Sequence, residues 1–431
     1  MTATTMASGA AAGRGVLWAD RNFRLLLAGG TVSLLGDQFT LTALPWLVLQ
    51  LTGDPLALGV VLALLAVPRA VFILIGGALV DRHSPRTVLV ASKAVQGGLL
   101  ALLALALQGG WLTLPLVNAF ALLMGLATAF SHPAGSALLP RCLPPALVRP
   151  ANGLLMSAGQ LMMLLGPLLA GGMVAALHHG GAALPDAHGL ALAFGVDGAS
   201  FAFSAATVLA LKGVLVPAQA GPARGGLLAD VAEAARAFWA DVPLRAVCLY
   251  FAAVACFAGG PVSVALPVLA QHLPGGSAAS LGLLLAANGA GVLAGMALSG
   301  MRPDWRLGTL GRTMLAIDAL AGLAFAALGL VHETWQAVAL LAPLGLLLGF
   351  VRVAVFSWMQ KRVPPAMLGR TMSLFLFIIM GLTPLATAAA GAALRVLSPA
   401  ALFAAGGAAL IVVVIAGAVL TPIRDVDDQA G

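Results

Sequence analysis

The chain has 431 residues, of which 61% are hydrophobic and 9% are charged, with 22 lysines and arginines against 15 acidic residues and a formal net charge of +7. So few charges cannot cover the surface of a water-soluble globule of this size, so a soluble fold is excluded and most of the chain must be solvated by lipid. The basic residues stand singly or in short groups between long apolar runs, which is typical of membrane topology, so the net charge does not indicate a nucleic-acid partner.

Residues 1–24 are predicted to be a cytoplasmic N-terminal tail, because their start has neither the basic region nor the apolar core of a signal peptide. Twelve apolar runs of about 20 residues follow, each long enough to cross roughly 30 Å of hydrocarbon. They lie approximately at 25–49, 58–80, 88–107, 114–130, 153–177, 190–211, 247–269, 281–300, 310–331, 337–358, 372–394 and 400–420.

An internal repeat divides these spans into two groups of six. Residues 141–148 align with residues 361–368, an offset of 220, and a second, independent match lies near the start of each half. The repeat predicts an N-terminal six-helix bundle at 25–211 and a C-terminal bundle at 246–421 in the same topology.

The distribution of lysine and arginine predicts the orientation of the chain. Of the 22 basic residues, 19 flank one side of the predicted spans, with Lys93 counted among them, and only Arg395 lies on the other side. Both termini are therefore expected to be cytoplasmic, in a multi-pass protein of the inner (plasma) membrane. Residues 212–245 are predicted to be a cytoplasmic linker with an amphipathic helix at 227–239, and residues 422–431 a cytoplasmic tail.

The sequence GGALVDRHSPRTVL at 76–89 follows the second predicted span. This segment and the twelve spans in two parallel repeats resemble the major facilitator superfamily, whose loop signature is GxLaDrxGrkxxL. Residues in register are Gly77, Leu79, Asp81, Arg82, Arg86 and Leu89, whereas Ser84 and Pro85 depart from the pattern. The resemblance implies an all-α membrane protein of twelve transmembrane helices with the major facilitator fold.

Further stretches resemble the macrolide- and siderophore-exporter branch of that superfamily. They include Gly36-Asp37, Ala43-Leu44-Pro45-Trp46, Pro68-Arg69, Ala151-Asn152, Asp197 with Ser200-Phe201, and Gln360 with Pro364-Pro365 and Gly369-Arg370. This likeness implies export of drugs, macrolides or siderophore-like molecules.

Five ionisable residues are assigned to the interior of the predicted spans, namely Asp37, Arg69, Asp197, Asp318 and Arg352. At 1.5 Å per residue the first three lie about 18, 17 and 11 Å below the outer surface, close enough to meet. Two carboxylates against one arginine leave a surplus acid that can carry a proton, and the alternative is a structural ion-pair cluster. The resemblance places the first span along the central cavity, so Asp37 is the first candidate for proton coupling and Asp197 the second.

Asp318 and Arg352 each lie about 9–12 Å from the cytoplasmic side, which predicts a second buried pair. The resemblance further implies a cytoplasmic latch in which Asp81 faces the start of span 11, while arginines pair with carboxylates or lipid phosphates. The latch residues are Gly77, Asp81, Arg82, Arg86, Gly369 and Arg370. The alternative is that these arginines serve only as positive-inside anchors.

Gly166-Pro167 and Gly171 resemble part of the antiporter signature GPxxGG with one extra residue, in a helix expected to pack closely against its neighbours. His178, His179 and His188 lie with Asp186 on a predicted outer loop, which is interpreted as a solvated loop and not a metal site.

The sequence motifs exclude most other classes of function. None of the lysines follows a glycine, so the nucleotide-binding pattern GxxxxGK[ST] is absent, and the hydrolase patterns GxSxG and HExxH are absent too. We expect that the protein is not an enzyme and holds no cofactor or metal. We expect a monomer whose partners are a small-molecule substrate, protons and membrane lipid. The favoured function is proton-coupled export of amphipathic small molecules by alternating access. The alternatives are an importer, uniporter or lysophospholipid transporter on the same fold, and a non-transporting membrane sensor.

Overall fold

The computed structural model describes residues 16–82, 84–178, 186–213, 236, 238–302, 305–363 and 365–427, without the side chains of residues 73–82, 365–370, 373 and 376. The described residues are predominantly helical, and no β-strand occurs among them. Most of the predicted amphipathic helix at 227–239 lies outside the described residues.

Twelve helices follow one another in the described part of the chain, and their positions match the twelve predicted spans. They are α1 (Arg21–Thr52), α2 (Pro55–Arg82), α3 (Pro85–Gln108), α4 (Leu114–Cys142), α5 (Pro145–Ala176), α6 (Ala187–Leu209), α7 (Val242–His272), α8 (Ala278–Met301), α9 (Leu310–Ala327), α10 (Thr334–Arg362), α11 (Pro365–Ala393) and α12 (Pro399–Leu420). Eleven of them are long and apolar enough to cross a membrane, and α11 contributes the shorter apolar helix Phe377–Ala393 within the residues searched. The all-helical fold class is therefore confirmed.

The fourth helix is longer than predicted. The expected span ended at residue 130, before a polar stretch with two prolines, but α4 continues through Pro133 and Pro140 to Cys142. Proline is tolerated inside membrane helices because neighbouring groups satisfy the freed backbone carbonyls.

Helix ends are set by local residues. Proline at the first turn, where no backbone N–H is required, begins α3, α5 and α12. The Asp241 carboxylate accepts a hydrogen bond of 3.0 Å from the Leu244 N–H at the start of α7. Between α1 and α2, Gly53 has a φ of 63°, which glycine adopts without strain.

The chain divides into two compact units. One comprises Met1–Leu47 with Val67–Ala220, and the other Val48–Ala66 with Gly221–Gly431. The segment Val48–Ala66 thus groups with the second unit, whereas the internal repeat predicted it to belong to the N-terminal bundle.

In the first unit, small residues bring helices close together. A Cβ atom on Gly97 of α3 would lie 3.3 Å from the carbonyl oxygen of Gly198 on α6. A Cβ atom on Gly29 of α1 would lie 3.4 Å from the Cα atom of Ser204, also on α6. Because lipid supplies no hydrophobic force between helices, such close approach is a main source of their attraction.

The second unit uses the same device between α8 and α10. A Cβ atom on Gly291 would lie 2.8 Å from the backbone nitrogen of Leu346, and one on Gly345 would lie 3.0 Å from that of Val292. In the same unit α7 contains a π-helical turn at Ala255–Gly259.

Candidate functional site

Asp197 is fully buried on α6 and is held by hydroxyl groups. Thr40 Oγ1 of α1 donates a hydrogen bond of 2.5 Å to Asp197 Oδ2, and Ser200 Oγ donates one of 3.2 Å to Oδ1. Gly36 makes room for this arrangement, because a Cβ atom there would lie 2.5 Å from Asp197 Oδ1. The carboxylate is therefore fixed at the contact between α1 and α6.

Asp37 lies three residues before Thr40 on α1 and is only half-buried. Its carboxylate interacts electrostatically with the ammonium of Lys93 and the guanidinium of Arg69. In contrast to Asp197, no described residue donates a hydrogen bond to it. The structure thus brings together Asp37, Arg69 and Asp197, as the depth count predicted.

Lys93 is a member of this cluster that the sequence analysis missed. Its Nζ atom donates a hydrogen bond of 2.6 Å to Ser33 Oγ and lies 4.3 Å from the ring centroid of Phe201. Its charge interacts with both Asp37 and Asp197. Lys93 lies five residues inside the predicted third span, but it was counted among the basic residues of the cytoplasmic side.

Lys93 changes the charge balance of the cluster. Two carboxylates face two cations, Arg69 and Lys93, so the argument for a surplus acid is wrong. With all four groups ionised the cluster is neutral, and one added proton gives it a net positive charge.

His132 of α4 extends the same cluster and was not singled out from the sequence. It is exposed, and it interacts electrostatically with Arg69 and Lys93. Histidine is the side chain that most readily changes charge near neutral pH, so His132 is a further group beside the two cations that can take up or release a proton. The cluster of Asp37, Arg69, Lys93, His132 and Asp197 is called the charge cluster below.

The predicted pair of Asp318 and Arg352 does not form. Asp318 is buried on α9 and accepts a hydrogen bond of 2.7 Å from the hydroxyl of Tyr250 on α7, whereas the Arg352 side chain is exposed on α10. The Tyr250 hydroxyl supplies the hydrogen bond that the buried carboxylate requires. The sequence analysis did not predict this partner because it considered only charged residues.

Most of the predicted cytoplasmic latch lies outside the described side chains. This holds for Gly77, Asp81, Arg82, Gly369 and Arg370. Arg86 is described, and its guanidinium donates a hydrogen bond to the carbonyl oxygen of Leu209, the last residue of α6. A cation at a helix C-terminus is favourable, so Arg86 caps α6.

Gly166, Pro167 and Gly171 are buried on α5. A Cβ atom on Gly166 would lie 2.5 Å from Gln38 Cγ, so the glycine permits close contact between α5 and α1 beside Asp37. The geometry agrees with a role in helix packing.

In the second unit Arg395, the one basic residue predicted on the outer side, has a partner. Its Nε and Nη2 atoms donate hydrogen bonds of 3.1 and 2.5 Å to the two carboxylate oxygens of Asp54. This guanidinium holds the pKa of Asp54 below its ordinary value. In the same unit Gly59 of α2 and Gly391 of α11 allow close helix contact, because a Cβ atom on Gly59 would lie 3.3 Å from Gly391 Cα.

On the predicted outer loop of the first unit, Asp186 is a buried acceptor. Trp46 Nε1 donates to its Oδ2 atom at 2.7 Å, and His178 Nδ1 lies 2.7 Å from its Oδ1 atom. His179 lies outside the described residues. Among the described residues no group of three or more His, Cys, Asp or Glu side chains is arranged to hold a metal ion.

The chain is similar in sequence to a known family of membrane transporters. Residues 26–387 match the family model of the Major Facilitator Superfamily. The chain is 26% identical over 381 residues to "Uncharacterized MFS-type transporter y4rN" of Sinorhizobium fredii (strain NBRC 101917 / NGR234), covering 86% of this chain and 87% of that protein.

Solved structures of transporters share the architecture at low sequence identity. A bacterial homolog of the human lysosomal transporter Spinster, inward-facing and unoccupied, superposes with a TM-score of 0.68 at 16% identity over 94% of this chain and 96% of its own. The nucleoside transporter NupG gives 0.69 at 14% identity over 92% and 98%. An auto-inhibited POT family peptide transporter gives 0.69 at 16% identity over 95% and 99%. At these identities the likeness shows the fold alone.

Proposed function

Because the chain belongs to the Major Facilitator Superfamily, we propose that it is a proton-coupled secondary transporter that exports amphipathic small molecules by alternating access. We place it in the inner membrane as a monomer with both termini cytoplasmic. The observation that carries the coupling is the charge cluster, five ionisable side chains from five helices of one unit. Charged groups within membrane spans are costly and usually belong to ion or substrate pathways.

Within the charge cluster, Asp37 is the better proton carrier. Asp197 is fully buried and accepts hydrogen bonds from Thr40 and Ser200, so proton exchange with water would require these contacts to open. Asp37 is half-buried and interacts with the charges of Lys93 and Arg69, and no hydrogen-bond donor to it occurs among the described residues. A proton on Asp37 cancels its attraction for Lys93 and Arg69 and so changes the forces between α1, α2 and α3.

Export is supported by the resemblance of the sequence to macrolide and siderophore exporters and by Gly166-Pro167 of the antiporter-like signature. An amphipathic substrate agrees with the 17 phenylalanines and 14 methionines, side chains that adapt to varied apolar surfaces.

A transport assay tests the proposal. The purified protein in proteoliposomes, under an imposed pH gradient, is screened with a macrolide, a siderophore and a lysophospholipid. Movement of the macrolide or siderophore that follows the gradient and stops when a protonophore is added supports the proposal. Lysophospholipid movement that is independent of the gradient would instead identify a lipid transporter.

A further inference from the structure

The second unit contains an arginine inside a span for which the described residues supply no acidic partner. Arg352 lies ten residues, about 15 Å, before the end of α10 and eighteen residues, about 27 Å, after its start. Its side chain is exposed, and no carboxylate pairs with it in the described part of the chain. Asp318, the acid expected to bind it, is bonded to Tyr250.

Aromatic rings lie on the same side of α10 as this guanidinium. Phe356 follows Arg352 by four residues, so the two side chains share a helix face. The ring centroid of Phe356 is 5.7 Å from that of Phe375 on α11, which is 6.2 Å from that of Phe251 on α7. The Phe375 ring is buried, and it supports the rings of Phe251 and Phe356, which are partly exposed.

The backbone of α7 is irregular next to these rings. The π-helical turn at Ala255–Gly259 begins one turn after Phe251, and the Phe257 side chain within it is 44% exposed. Single π-turns inside α-helices are found frequently at functional sites.

From these observations we infer that Arg352 and the partly exposed rings of Phe251 and Phe356, with the buried Phe375 ring packed against both, form a subsite for an amphipathic anion. The guanidinium binds a carboxylate or sulfonate of the transported molecule, and the rings contact its apolar part. An arginine exposed in a span is stabilised when it meets water and a counter-ion, and a substrate anion supplies the charge that no described side chain provides. The inference rests on the proposed transport function and narrows its substrate class.

Three probes with one apolar body and different charge test the subsite, namely 1-pyrenebutyrate, neutral 1-pyrenebutanol and cationic 1-pyrenebutyltrimethylammonium. Binding to the purified full-length protein in neutral detergent is followed by pyrene fluorescence anisotropy. The wild type should bind the anion at least about tenfold more tightly than the cation. Arg352→Gln should remove this preference by weakening the anion alone, and Arg352→Lys should keep part of it.

Phe356→Leu is the matched variant for the apolar part, and it should weaken all three probes by a similar factor. Thermal unfolding of each variant establishes that it is folded, and Arg352→Lys keeps the test decisive if the glutamine variant is unstable. Equal losses for the three probes in Arg352→Gln, or no anion preference in the wild type, would overturn the subsite.

A lipid phosphate could occupy the same guanidinium, and a second arm separates the two sources. Binding of 1-pyrenebutyrate is repeated in phosphatidylcholine nanodiscs with and without phosphatidylglycerol. Unchanged binding supports a substrate subsite, whereas displacement by phosphatidylglycerol assigns Arg352 to lipid and overturns it. No gradient is applied in these binding assays, so a loss of proton coupling would not affect their results. In a transport assay, pH-driven movement of the cationic probe alone would refute the subsite and leave the proposed transporter function intact.

Discussion

Lys93 Nζ lies 2.6 Å from Ser33 Oγ, which joins a cation of α3 to α1 inside the first unit. The same nitrogen lies over the ring of Phe201 on α6 and interacts with the carboxylates of Asp37 and Asp197. Lys93 therefore connects α3 with α1 and α6, and it interacts with both candidate proton carriers.

Replacing Lys93 by methionine should remove the second cation of the charge cluster and keep much of the apolar stem. Asp37 then keeps its interaction with Arg69, whereas Asp197 loses the interaction with the Lys93 charge. We expect gradient-driven transport to fall at least about tenfold, equivalent to about 1.4 kcal/mol. Proteoliposome assays of Lys93→Met and of the charge-preserving control Lys93→Arg measure this. Normal transport by Lys93→Met would show that the cation takes no part in coupling.

Gly36→Ala should destabilise the contact between α1 and α6. The new Cβ atom would lie 2.5 Å from Asp197 Oδ1, so the carboxylate or the helices must shift, at a cost of about 1–3 kcal/mol. Gly30→Ala on the same helix is the control, because its Cβ atom would meet only Leu155 Cδ2 at 3.7 Å. Thermal unfolding of both variants should separate them, and equal stability would contradict the described packing.

Tyr250→Phe should leave the buried Asp318 carboxyl without its hydroxyl donor. Loss of a hydrogen bond to a buried acceptor costs about 1–3 kcal/mol, so the unfolding temperature should fall. Asp318→Asn is the milder companion change, since its amide oxygen still accepts from Tyr250. A Tyr250→Phe protein as stable as the wild type would show that this bond is dispensable.

The ion pair between Asp54 and Arg395 should be insensitive to pH near neutrality. Arg395 lowers the pKa of Asp54 from its ordinary 3.8, so the stability that the pair contributes is present above that value and is lost as pH falls through the lowered pKa. Asp54→Asn should therefore be less stable than the wild type by a constant amount between about pH 5 and 8, with the difference disappearing only in acid.

Thermal unfolding of the two proteins across this pH range measures the difference, and the doubly reversed variant Asp54→Arg with Arg395→Asp should recover stability. A stability difference that disappears between pH 5 and 8 would contradict the assignment.

The sequence predicted the helices well because length and apolar composition are local properties. It did not predict partners that depend on three-dimensional packing. Asp54 and Arg395 are 341 residues apart, and the hydroxyl of Tyr250 carries no charge that a search for ion pairs would detect. Lys93 was counted with the cytoplasmic basic residues and not with the buried charges, because its contacts with α1 and α6 depend on how the helices pack. Asp37, Arg69 and Asp197 were grouped correctly, since depth alone brings them to neighbouring levels.

The most direct test of proton coupling is the transport cycle of Asp37→Asn, with Asp197→Asn measured beside it. A neutral side chain mimics a permanently protonated Asp37, so the variant should bind substrate and support exchange without a gradient, yet fail to accumulate substrate when a pH gradient is imposed. Thermal unfolding of the variant confirms that the fold survives. A folded Asp37→Asn protein with normal pH-driven accumulation would contradict the account and transfer the coupling role to Asp197.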